Sequence, residues 1–62
     1  MTISKNKIYK HYKNNHTYEV LNFCKIQEND LWVEAVIYKP TDCDELFVRT
    51  LAEFKDKFTL VK

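Results

Sequence analysis

The chain has 62 residues, of which 45% are hydrophobic and 15% aromatic, and its formal net charge is +1. That length makes one domain at most, and an aromatic-rich chain of low net charge is not a disordered one. The same balance argues against nucleic acid or a membrane surface as the partner, since their binders carry a large basic excess or a basic stripe.

The chain contains no glycine. Turns must then come from residues that tolerate a left-handed backbone, and Asn and Asp are the usual ones. They sit at Asn14-Asn15, at Asn29-Asp30 and within Thr41-Asp42-Cys43-Asp44. Between them lie short segments rich in β-branched and aromatic residues, the pattern of strands.

The first strand is expected over Lys7–Lys13, with Ile8 and Tyr12 on one face and Tyr9 and His11 on the other. The second runs Thr17–Ile26. Tyr18 and Val20 share one face, but Leu21 and Phe23 take the opposite parity, so this strand is expected to bend near Asn22 and serve two sheets in turn. The third, Leu31–Lys39, alternates cleanly. Leu31, Val33, Ala35 and Ile37 form an apolar stripe expected to face the core, leaving Trp32, Glu34, Val36 and Tyr38 on the other side. The fourth is Leu46–Arg49.

Thr50-Leu51-Ala52-Glu53 then has the spacing of a capping box, in which the Thr50 hydroxyl accepts from the Glu53 amide and the Glu53 carboxylate reaches back. Leu51, Phe54 and Phe58 follow at helical spacing, so one or two helical turns are expected over about 51–56. A last strand, Lys57–Val61, completes an all-β chain. Five short strands with a helical turn before the last make a small five-stranded SH3-like barrel, closed to hide its strand edges, as one domain over 1–62 with its core at about 7–61.

Several segments also resemble a family. Tyr9-Lys10-His11-Tyr12-Lys13, Tyr18-Glu19-Val20-Leu21, Val36-Ile37-Tyr38, and Leu46-Phe47-Val48-Arg49-Thr50-Leu51 with Phe54 are similar to the bacterial and phage domain-of-unknown-function family numbered 1653. Its pattern runs Y-x-H-Y-K-G, Y-x-V-L-G, a V-x-Y strand and L-W-V-R-P-L-x-x-F. The resemblance implies an SH3-like barrel and brings no activity with it. Asn14 and Asn22 stand where the pattern favours Gly, Thr50 stands where it favours Pro, and the loop Lys39–Glu45 is longer than usual.

The chemistry-bearing residues are few. Structural zinc sites bring ligands in close pairs, whereas His11, His16, Cys24 and Cys43 are scattered, so no metal is expected. Cys24 with His11 as base would need a group to orient the base and donors for an oxyanion. Nothing marks either, so no catalytic residue and no cofactor are expected, and Cys24 reads as a small core residue. No stretch approaches the ~18 apolar residues of a membrane span. Residues 1–13 lack the apolar run of a secretion signal. A cytoplasmic protein of a bacterium or its phage is expected, with both thiols free.

What remains is a binding face. Tyr9, His11, Trp32, Tyr38, Phe47 and Arg49 lie opposite the stripe assigned to the core. Aromatics supply rigid contact area, and Arg supplies a fork for phosphate or carboxylate. The expected function is non-enzymatic binding or sequestering of a small anionic, nucleotide-like ligand. The alternatives are a protein-interaction module, such as a phage inhibitor of a host protein, and weak nucleic-acid binding. A core of this size seldom supplies more than ~3–5 kcal/mol, so a homo-oligomer is expected.

Overall fold

Four non-glycine residues do the work of the missing glycines. Asn6, Asn15, Asn29 and Asp30 have φ of 63°, 59°, 49° and 66°, in the left-handed region where Asn and Asp are the best tolerated of the side-chain-bearing residues. Asn29 and Asp30 form a two-residue hairpin with both central φ positive, a backbone whose twist matches the strands it joins. Asn14 Oδ1 accepts from the His16 amide at 2.9 Å, bracing the turn that holds Asn15. The structure, a computed structural model, describes residues 3–61.

These turns delimit β1 (Ile8–His11), β2 (Thr17–Glu28), β3 (Leu31–Pro40) and β4 (Phe47–Thr50), followed by α1 (Leu51–Lys57) and β5 (Phe58–Leu60). All pairings are antiparallel and the strands form one sheet, ordered β4-β3-β2-β1-β5. Five strands with a helix before the last agree with the expectation. Closure does not: β4 and β5 are not paired, so the sheet is open and only barrel-like. The physical reason lies in α1, which takes the chain from one edge strand to the other without bringing the two within pairing distance.

β2 does not serve two sheets in turn, as its parity suggested: it lies in one sheet and carries a bulge. Val20 pairs with Tyr38 and Asn22 with Ile37, so Leu21 is an extra residue. One inserted residue reverses the parity of everything after it. Val20 and Phe23 therefore share a face, the first opposite Tyr38 and the second opposite Val36. This is why β2 reads as apolar on both sides.

The core is Ile3, Tyr9, Val20, Val36, Tyr38, Phe54 and Phe58. That corrects the expected stripe. Leu31 is 67% exposed, Val33 and Ile37 are half-buried, and Ala35, though buried, is not part of the cluster. Cys24, directly across from Ala35, is half-buried on that outer face and is likewise not a core residue. Alternation distinguishes two faces of a strand but does not say which one is covered. Here the cover comes from α1 and β5. The Phe54 ring lies 5.4 Å from Tyr9 and 5.2 Å from Tyr38, and stacks at 4.1 Å on Phe58.

The helix begins as its sequence predicts. Thr50 has extended backbone and its hydroxyl accepts from the Glu53 amide at 3.2 Å. The reciprocal half of the capping box is replaced: the Glu53 carboxylate lies 3.7 Å from Arg49 Nη1. Lys55 and Lys57 in the last turn complement the helix dipole. Thr50→Ala should cost about 1 kcal/mol, the usual loss for an N-cap. It would be read as a lower urea midpoint with an unchanged slope.

Candidate ligand-binding site

His11 is the last residue of β1, two positions after Tyr9, so both point into the covered face. Its partner across the sheet is Phe58 at the start of β5. The imidazole meets the Phe58 ring edge-on at 4.9 Å and stacks against Tyr12 at 5.3 Å. Nδ1 accepts from the Lys13 amide at 3.1 Å. That bond places the neutral ring's proton on Nε2.

Arg49 reaches the same ring from β4. Its guanidinium carbon is 5.8 Å from the Phe58 centroid. Nε donates to the Tyr38 hydroxyl at 2.8 Å, which gives that buried phenol its partner. The sequence leaves Glu34 and Glu19 open as ion-pair partners for Arg49, but the carboxylate nearest it is Glu53. Lys57 Nζ lies 5.8 Å from the Tyr12 ring. Tyr18, half-buried, packs edge-on against both Tyr38 and Phe58. The result is a ring cluster with cations around one end.

The structure therefore divides the six predicted site residues. Tyr9 and Tyr38 are core residues whose hydroxyls accept from the Ser4 amide and from Arg49. His11 and Arg49 meet at the cluster, and Phe47 adjoins it with its ring 5.9 Å from Tyr38. Trp32 stands apart. It pairs with Gln27 near the tip of the β2–β3 hairpin and is 66% exposed. Six residues of strand separate it from Tyr38, roughly 20 Å at the usual rise. Sequence reasoning missed Phe58, Lys57 and Tyr12 as members. The signal existed: pairing the first strand with the last, as a barrel requires, sets Phe58 opposite His11.

Burial, then Arg49, Lys57 and Lys13 in that order, hold the His11 pKa below its ordinary 6.5. The folded state thus binds this proton less readily than the unfolded one. Its contribution to stability is complete above about pH 6.5 and is lost as pH falls from there through the folded value. Urea midpoints measured between pH 8 and pH 5 should fall more in the native chain than in His11→Gln.

The chain's motifs now have a common location. His11, Tyr12 and Lys13 come from the first motif and Arg49 from the last, and Phe58 joins them. The sequence pattern of the family described as "Protein of unknown function (DUF1653)" matches residues 7–61. The chain belongs to this family. The DUF1653 match spans β1 to β5 and includes every residue of the cluster. No curated protein and no solved structure matches the chain significantly.

Proposed function

We propose that this DUF1653 domain is a non-enzymatic binding module that takes a small anionic, nucleotide-like ligand at the His11–Arg49 cluster. One observation carries the reading: two motifs far apart in sequence place an arginine and a histidine on one ring, Phe58, with Lys13 and Lys57 near enough to lower the histidine's pKa. Arg49 gives Nε–H to Tyr38 and has Nη1 3.7 Å from the Glu53 carboxylate, and a phosphate would take the remaining guanidinium N–H groups in competition with Glu53. Nε2–H of His11 is a further donor. Tyr12, an exposed ring, offers a stacking face. An anion there would raise the His11 pKa, so binding should tighten as pH falls below neutral.

Calorimetric titration with pyrophosphate, ATP and cyclic dinucleotides tests this. Arg49→Gln and His11→Gln should each weaken binding at least about tenfold, the scale of one lost charge-assisted hydrogen bond, with the fold retained by circular dichroism. Silence across the panel would sink the proposal. A homo-oligomer belongs to the same reading, because β4 and β5 are both open edges on a small core. Sedimentation would measure it.

A second reading, a protein-interaction module, draws support from exposed Leu31 and Trp32 at the hairpin tip. Trp is among the residue types that dominate interface energetics. A stoichiometric partner that copurifies with the native chain and is lost with Trp32→Ala would favour it.

A further inference from the structure

β3 is longer than the strand beside it. β4 pairs with Ala35 to Tyr38 and then ends, because the chain leaves the sheet at Thr50 to enter α1. Leu31 to Glu34 pair with β2 on one side, opposite Glu28 to Lys25. Their other edge has no strand beside it among the described residues. Alternate residues of this stretch, two of the four, thus direct their backbone N–H and C=O groups away from β2 to the open edge, a short template for one more strand.

The space next to that edge is shaped. A recess of about 450 Å³ lies between β3 and the start of α1. Val33, Leu51 and Ala52 give it an apolar lining, Thr50 closes the end where β4 stops, and Glu28, Glu34 and Lys55 complete the lining. It adjoins the β3 edge at Val33 and Glu34, next to where β4 stops at Thr50, and reaches as far as Glu28 of β2. Two carboxylates face one ammonium, so the recess favours a cationic guest. Glu34 stands on the edge strand with Lys25 as its cross-strand neighbour, and no ion pair forms between them among the described residues.

We propose that this edge is a docking site for an extended peptide segment bearing a lysine or arginine. The segment adds as a short strand antiparallel to β3, continuing β4. Backbone hydrogen bonds to Leu31–Glu34 supply affinity, as in other strand-addition complexes. Val33 receives an apolar side chain on one face, and Glu34 the cationic one on the other, following the two-residue alternation. Exposed Trp32 and Leu31 flank the added strand. The proposal gives the protein-interaction reading a location and a partner chemistry. It is separate from the His11–Arg49 cluster, with which the recess shares no residue.

The test uses the whole chain, labelled with nitrogen-15, and the peptide acetyl-Thr-Val-Lys-Val-Thr-amide. The expected result is a set of amide shifts confined to residues 31–34 and 50–55, with slowed hydrogen exchange at the alternate amides of 31–34 that face the open edge. The same peptide with Glu in place of Lys should bind about three- to tenfold more weakly, the scale of opposite against like charges across a strand pair. Glu34→Lys, at an exposed position where a like charge across from Lys25 costs at most about 1 kcal/mol, should invert that preference, with folding checked by circular dichroism. Its pyrophosphate titration should match that of the native chain, which separates failure of this site from failure of the anion site. Four outcomes would overturn the proposal: no binding at millimolar peptide, shifts centred on the His11 cluster, equal binding of both peptides, or no inversion by Glu34→Lys. Concentration-dependent protection of 31–34 without peptide would assign the edge to a second copy instead.

Discussion

Phe54→Ala is expected to leave the chain largely unfolded at 25 °C. Phe54 is fully buried and is the one residue of α1 that is. Its ring contacts Tyr9, Tyr38 and Phe58, which come from β1, β3 and β5. Truncating a buried Phe to Ala typically costs 3–5 kcal/mol, about the whole stability expected of a core this small. The loss also removes the contact that holds the helix across the open sheet. Far-ultraviolet circular dichroism and near-ultraviolet aromatic signals would read it together. Phe54→Leu keeps most of the volume and should retain a cooperative urea transition at a lower midpoint. If Phe54→Ala instead unfolded at the native midpoint, α1 would be a dispensable appendage and the assignment of the core would be wrong.

The elements of this fold were legible because their signals are local. Asn29-Asp30 announces a tight hairpin, Thr50 with Glu53 announces a helix start, and each appears where its chemistry requires it. An irregularity in β2 near Asn22 was legible, but its nature was not: the parity change reflects a one-residue bulge within one sheet, not a strand shared between two. Two further features were not legible. Asn6, with its left-handed backbone, sits in a lysine-rich segment that carries no strand pattern, and its amide bonds to the Val20 carbonyl. The choice of covered face was also hidden. The stripe Leu31, Val33, Ala35 and Ile37 is the cleaner one by eye, yet Val36 and Tyr38 are buried because Phe54 and Phe58 lie over them. Which side a helix crosses is a tertiary fact, and alternation within one strand contains no trace of it.

The same mistake about faces shaped the candidate site. Tyr9 and Tyr38 were grouped with His11 and Arg49 because all share one parity, and that grouping is correct as geometry. The face they share is interior, so the tyrosines pack while the basic groups emerge at its margin. Arg49 shows how this happens: its guanidinium lies over the Phe58 ring and its Nε serves the Tyr38 hydroxyl, so one side chain both completes the core and carries charge at its margin. Trp32 has the same parity but lies beyond the reach of α1, so it stays exposed. A single strand face is therefore core at one end and surface at the other.

That division makes a sharp contrast between two substitutions on the same strand. Val36→Asn replaces a fully buried side chain with an amide. It loses the ~1.5–3 kcal/mol that burying a Val contributes. It also confines polar atoms among Val20, Tyr38 and Phe54, for which an unmet hydrogen bond costs a further ~1–3 kcal/mol. The sum, roughly 2.5–6 kcal/mol, is comparable to the whole ~3–5 kcal/mol that a core this small supplies, so the cooperative transition should be largely lost. Leu31→Asn alters a side chain that is 67% exposed, on the face the sequence alone would have called the core. Its expected effect is within about 0.5 kcal/mol, as for surface positions generally. Paired urea titrations of the two variants decide which face is covered. Equal losses would mean that the Leu31–Ile37 stripe is buried in solution by a second copy, and a sedimentation run at the same concentrations would show that copy as a doubled mass.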